Sequence, residues 1–208
     1  MKDYSKIPLG CLPSKMDPRN YTLAKIGVHP LRAGDLPKEY PGGRTPEHWR
    51  KFLPPDVPGK SYDQGYTSMC VAFSGSLGKS ISEHRERGAW ESYSEGQLYV
   101  DRLPGHYMGE GMFIEECAQT LVTYGVAPRA HFPHWGSFTE LFALLEGTTG
   151  LKDLLHRVGL PQRAESYVFP KTKEEIKTAI MTWGWVWVSL PVYESFYAGG
   201  HLGPKPSG

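Results

Sequence analysis

Residues 1–62 cannot hold a long helix, and residues 70–87 can hold little else. The first stretch is broken at Leu12-Pro13, His29-Pro30, Leu36-Pro37, Tyr40-Pro41-Gly42-Gly43, Leu53-Pro54-Pro55 and Val57-Pro58-Gly59. Each proline removes a backbone donor and disfavours helix in the residue before it. The stretch reads as an extended arm wrapping a globular body, with one short helix around 46–52. Its Trp49, Phe52 and tyrosines favour packing over a free tail. Immediately after a polar Asp63-Gln64-Gly65 turn the pattern changes. Cys70, Phe73, Leu77 and Ile81 fall at i, i+3, i+7 and i+11, one face of a helix, and residues 82–87 are polar. Gly88 is placed to cap it, and Gly75 and Gly78 open room for a close neighbour.

A cysteine that begins a helix meets unpaired backbone N–H groups and the positive end of the helix dipole. Both favour thiolate, the nucleophilic form. Gln64 lies six residues earlier, so its amide can return toward the same spot. With the backbone N–H of Cys70 it would hold a developing oxyanion.

The remaining chain alternates helical patterns with loops. A second helix is expected over roughly 112–124, with Met112, Phe113, Cys117, Thr120, Leu121 and Tyr124 on its apolar face and Gly125 as its stop. Residues 137–157 read as one or two helices broken near 147–150. Thr172 followed three places on by Glu175 is a capping box, and Ile176, Ala179, Ile180 and Trp183 continue that helix. A short strand is expected at 166–169. Trp185-Val186-Trp187-Val188-Ser189-Leu190 is β-branched and aromatic, hence a second strand.

Composition narrows the function class. With 208 residues, 39% hydrophobic and 22% charged, the chain suits one domain or one two-lobed domain with a real core. A net charge of +1 leaves no basic surplus, so nucleic acid is not expected as a partner. No apolar run is long enough to span a membrane, and the N-terminus has no apolar signal core. Three cysteines, Cys11, Cys70 and Cys117, are too few and odd in number for a disulfide framework. Cytoplasm, or a particle assembled inside a cell, is the expected location.

The Asp63-Gln64-Gly65 turn, the Gln-to-Cys spacing, the helix at Cys70 and Ala72-Phe73 resemble the papain-like cysteine peptidases of the C1 family. The family's Cys-Gly-(Ser/Ala)-Cys-(Trp/Tyr) signature is replaced by Thr67-Ser68-Met69-Cys70-Val71, which keeps only the nucleophile. The arm, with Gly10-Cys11-Leu12-Pro13, Asp17-Pro18-Arg19-Asn20-Tyr21 and Leu36-Pro37, resembles the lead-in of bacterial and bacteriophage members. Downstream, Ser94-Glu95-Gly96-Gln97-Leu98-Tyr99, Tyr124-Gly125-Val126 and Val192-Tyr193-Glu194-Ser195-Phe196 follow in the family's order. The resemblance implies an α+β fold, with a helical lobe around the Cys70 helix, a β lobe starting near Ser166 and a cleft between them. Residues 1–62 would be the arm and 63–208 the peptidase domain. Cys70 would be the nucleophile, Gln64 the oxyanion donor, and Gly111 a bare backbone that pairs with the substrate main chain. No cofactor and no metal are implied. The partner is a protein or peptide substrate, with other virion or assembly proteins if the chain serves a phage particle.

The family's mechanism also needs a histidine base and an asparagine that orients it. His201 lies 131 residues after Cys70, inside the expected interval, but Pro204 and Pro206 argue against the strand that carries the family's histidine. No asparagine follows Asn20. The β lobe is therefore expected to be incomplete at its C-terminal end. The open alternatives are a polypeptide that continues past residue 208, a cleaved one, or a non-catalytic relative. Other histidines, including His131 and His134, fit no metal-ligand spacing, and Cys117 on its helix face is expected in the core.

Overall fold

A computed structural model describes residues 11, 22–23, 27–29, 63–65, 67–102, 111–132 and 137–190. The chain enters its first long helix, α1, at Cys70–Arg87. Gly88 closes it in the left-handed conformation, its N–H donating to the His84 carbonyl at 2.8 Å. Two helices pack on α1 and on each other: α2 at Glu95–Val100 and α3 at Ile114–Thr123. Then come α4 at Phe138–Gly147, α5 at Leu151–Gly159, a short 3-10 turn at Leu160–Gln162, and α6 at Lys173–Trp183. The expected break between 147 and 150 thus separates two helices. The capping box at α6 forms as expected, with Thr172 Oγ1 accepting from the Glu175 N–H and Glu175 Oε2 accepting from the Thr172 N–H, both at 3.1 Å.

The core lies where α1, α2 and α3 meet. Met69, Val71, Ala72, Tyr93, Leu98, Tyr99, Met112 and Cys117 are all buried there. The expected apolar face of α1 is only partly the buried one: Phe73 is buried, whereas Cys70, Leu77 and Ile81 are half-buried. Burial reaches instead to Gly75, Ser76, Gly78, Lys79, Ser80 and Glu83. Small residues let neighbours approach α1 on several sides, and the charges buried there are paired. Glu83 takes the Lys79 ammonium on one oxygen and Arg87 on the other at 2.7 Å. Such a pair is tolerated inside because each ion is the other's solvent substitute.

Fully buried Gln97 joins three segments. Its Oε1 accepts from the Ala127 N–H at 2.7 Å, and its Nε2 donates to the Gly125 carbonyl and to Asp101, both at 3.3 Å. Asp101, just past α2, in turn accepts from His156 Nε2 of α5 at 2.9 and 3.0 Å and lies 3.3 Å from Lys152 Nζ. The Tyr124 ring stacks on His156 with centroids 4.1 Å apart. This polar lacing fixes how α2 and α5 meet.

The two expected strands do not form as strands. Residues 166–169 and 185–190 are non-helical and lie in no ladder, and among the described residues the pairings outside helices are two isolated bridges, Cys11 with Met112 and Tyr93 with Pro128. The physical reason is that strand propensity is realised only against a partner whose N–H and C=O groups complete the ladder. No described residue supplies one to these segments. The described structure is therefore mostly helical, and the β half of the expected α+β architecture is not seen in it. The short helix expected at 46–52, and most of the arm, lie outside the described residues. Of the arm, Leu23 is fully buried and Cys11 partly so.

Candidate active site

The site is built on the entry to α1. Asp63 and Gly65 make a tight turn in which Asp63 Oδ1 accepts from the Gly65 N–H at 2.8 Å. Gly65 has φ +61°, a conformation that a side chain would strain. Gln64 then closes a local ring. Its carbonyl accepts from Thr67 Oγ1 at 2.6 Å, and its side-chain Nε2 donates to the Thr67 carbonyl at 2.8 Å. The amide is thereby held in the turn ahead of α1, with one of its two N–H bonds engaged. Thr67, Ser68 and Met69 are buried and Cys70 is half-buried at the first position of the helix, followed by buried Val71. Cys70 is the step at which the chain surfaces between two core residues.

Cys70 is also held from behind. Ser74, one turn on, donates its hydroxyl to the Cys70 carbonyl at 2.8 Å, shared with Val71 at 3.1 Å. The Trp187 indole N–H donates to the same Ser74 Oγ at 2.8 Å. Further along α1 the Trp185 indole N–H donates to Ser82 Oγ at 2.9 Å. The two indoles fill the places that side chains on Gly75 and Gly78 would take. A Cβ at Gly78 would fall 2.3 Å from the Trp185 ring, and one at Gly75 would fall 2.7 Å from Cys117 Sγ and 2.8 Å from the Trp187 ring.

The thiols differ in setting. All three cysteines lie among the described residues and none is in a disulfide. Cys117 is fully buried on α3, as expected of a core thiol, and burial pushes its pKa far up. Cys11 is raised by burial too, against a hydrogen bond from Ser189 that lowers it.

Gly111 is buried, and its carbonyl accepts from Arg102 Nη1 at 3.1 Å. The Arg102 guanidinium carbon lies over the Tyr99 ring, 3.7 Å from its centroid, and its Nε donates to the Tyr99 carbonyl at 2.9 Å. Next to Gly111, Met112 makes its bridge to Cys11, so the backbone edge singled out for substrate is met by the arm. His131 is exposed, whereas His134 and His201 lie outside the described residues. Among the described residues no group of three His, Cys, Asp or Glu side chains gathers as metal ligands.

Sequence reasoning missed Arg102, Ser74 and Trp187 as parts of this site. Ser74 was findable at i+4 from Cys70, because a serine at that spacing bonds back to the carbonyl below it. Arg102 and Trp187 had no local signal.

No protein-family model and no curated protein matches the chain. Among solved structures it is similar to xylellain, a cysteine protease from Xylella fastidiosa, at 17% identity and TM-score 0.59, over 88% of this chain and 66% of that one. The fold is papain-like. The Amb a 11 cysteine protease, a ragweed pollen allergen solved in its proform, matches at 24% identity over 43% of this chain and 27% of its own, with TM-score 0.36. The papain-like assignment rests on the first likeness alone. The chain spans just under two thirds of the xylellain structure, and no helix among the described residues is long and apolar enough to cross a membrane.

Proposed function

We propose that the chain is a cysteine-type peptidase in which Cys70 is the nucleophile and Gln64 an oxyanion donor. The observation that carries this reading is the placement of Cys70. It is a half-buried thiol at the first position of an 18-residue helix, between buried Met69 and Val71, in a papain-like fold. In the proposed reaction the Cys70 thiolate adds to the scissile carbonyl carbon, and the oxyanion is met by the Cys70 N–H and the second N–H of the Gln64 amide. Collapse breaks the C–N bond. The amine leaves with a proton from a histidine acid–base, and water then hydrolyses the thioester to carboxylic acid and free thiol. His201 is one candidate for that base, and it lies outside the described residues. Gly111 would offer backbone to the substrate chain.

A second reading, an inactive papain-like structural or binding protein such as a phage virion component, draws support from one observation. The Gly111–Met112 edge is already engaged, by Arg102 on the Gly111 carbonyl and by the Cys11 bridge at Met112.

Intact mass before and after a papain-family epoxide inhibitor, with peptide mapping, separates the two. The peptidase reading expects one adduct on Cys70 and peptide hydrolysis that falls by at least about 10³-fold in Cys70→Ser. Gln64→Ala should lower kcat by about 10²-fold with little change in KM. No adduct on Cys70 and no hydrolysis overturns it in favour of the structural protein.

A further inference from the structure

We infer that Trp187 is a positioning residue for Cys70, acting through Ser74. The inference rests on the reading of Cys70 as nucleophile and adds a residue from the far end of the chain to that site. A continuous chain of hydrogen bonds runs from the Trp187 indole N–H to Ser74 Oγ at 2.8 Å and from the Ser74 hydroxyl to the Cys70 carbonyl at 2.8 Å. The first bond orients the second. With one of its two lone pairs taken by the indole, the Ser74 hydroxyl points its single hydrogen at the carbonyls of Cys70 and Val71. Bonds in such a chain polarise one another, so the tether is firmer than either bond alone.

The Cys70 carbonyl lies in the peptide plane that leaves Cys70, and holding that plane fixes ψ at the nucleophile. The first turn of a helix is where fraying is easiest, since no turn precedes it. A thiol that must stay at the head of the helix to keep the favour of its N–H groups gains from such a tether. The α1 N-cap, Met69, has no side-chain cap of its own. Ser74 and Trp187 hold this first turn by a different device from a capping side chain: Ser74 donates to a carbonyl, whereas a cap such as Ser94 at α2 accepts from a backbone N–H.

The docking of the 185–190 segment is specific enough to carry this role. Val188 and Leu190 remain 57% exposed, and burial in the segment is confined to the half-buried Trp185, Val186 and Trp187, with Trp187 against the core. Its hold on α1 is the pair of indoles over Gly75 and Gly78, hydrogen-bonded to Ser74 and Ser82, and Ser189 adds a bond to Cys11. Only the Trp187 end reaches the turn that bears Cys70, and the Trp185 end serves as an internal control.

The test is the rate of iodoacetamide alkylation at Cys70, mapped by mass and followed across pH, in the full chain and in Ser74→Ala, Ser74→Thr, Trp187→Phe and Trp185→Phe. A thermal melt of each variant is run beside it. Ser74→Ala and Trp187→Phe should slow alkylation at neutral pH by roughly 2- to 10-fold, the rate equivalent of one net hydrogen bond, and move the profile to higher pH. Ser74→Thr should restore the rate, and Trp185→Phe should leave it at the wild-type value. Wild-type profiles in both Ser74→Ala and Trp187→Phe overturn the inference and leave the peptidase reading standing. Equal slowing by Trp185→Phe overturns it in favour of general packing. A wild-type Cys70 no faster than free cysteine overturns the nucleophile reading, and this inference with it.

Discussion

The helical body and the 185–190 segment are held in opposite ways. Around α1, α2 and α3 the chain is laced by buried polar side chains. Gln97 ties three segments, Asp101 meets His156 and Lys152, Arg102 holds Gly111, and Glu83 sits between Lys79 and Arg87. Among the described residues the 185–190 segment has no such buried lacing, its polar contact away from α1 being the Ser189 bond to Cys11. It touches α1 through two indoles, each seated over a glycine and each with one hydrogen bond, and it leaves Val188 and Leu190 in solvent. The nucleophile lies on the seam between these two regimes: its helix belongs to the laced body, and its carbonyl is tethered to the lightly held segment. Stability and reactivity should therefore respond to different residues.

The sharpest way to break the comparison is to cut the lacing. Gln97→Ala leaves the Ala127 N–H and the Gly125 carbonyl unsatisfied in the interior, and should cost about 2–4 kcal/mol in chemical denaturation. A loss well under about 1 kcal/mol would mean that the body is held by packing alone.

Next is the seam. Gly78→Ala places a Cβ against the Trp185 ring and should cost about 1–3 kcal/mol, with a red shift of tryptophan emission as the indole is displaced. Gly147→Ala, where nothing lies within 4 Å, should be neutral or stabilising by a few tenths to about 1 kcal/mol. Equal losses at the two positions would show that the notch is not filled by the indole in solution.

Trp185→Phe loses the bond to Ser82 and also part of the indole that fills the notch over Gly78. It should cost about 1–2 kcal/mol in a thermal or denaturant melt. A loss as large as that of Gln97→Ala would erase the distinction between the two regions.

The smallest effect is in pH dependence. Glu95 is buried beside Arg129 at 2.7 Å, and burial raises its pKa despite that partner. Its folded pKa therefore exceeds its unfolded one of about 4.3. The group's contribution to stability is fully present below about pH 4.3 and is lost as pH rises through the raised folded value. Melts of Glu95→Gln against wild type should show the variant gaining relative stability as pH climbs through that window. A gap that does not change with pH would mean that Arg129 fully offsets the burial.

How much of this was legible in the sequence follows the range of the forces involved. The entry of α1 at Cys70, its Gly88 stop, the Thr172–Glu175 capping box and the break between α4 and α5 all depend on residues within a few positions of one another, and they were read correctly. The buried face of α1 was misjudged. Hydrophobic periodicity cannot see a serine, a lysine and a glutamate being buried by mutual pairing and by close neighbours. The strands at 166–169 and 185–190 were read from propensity, which is a statement about fitting a partner strand, and the partner is not in the local sequence.

The sequence by itself determined where a helix could begin, that a cysteine would stand at its head, and that a Gln-Gly turn would precede it. Those choices are made by proline, glycine and side-chain spacing over one or two turns of chain. Only the tertiary structure decided that Arg102 would hold the Gly111 carbonyl, that Cys11 would meet Met112, and that the Trp187 indole would reach Ser74 from 113 residues away. Such contacts form because burying large rings and satisfying their polar atoms requires whatever notch and partner the rest of the fold presents, and no local pattern records which notch that is.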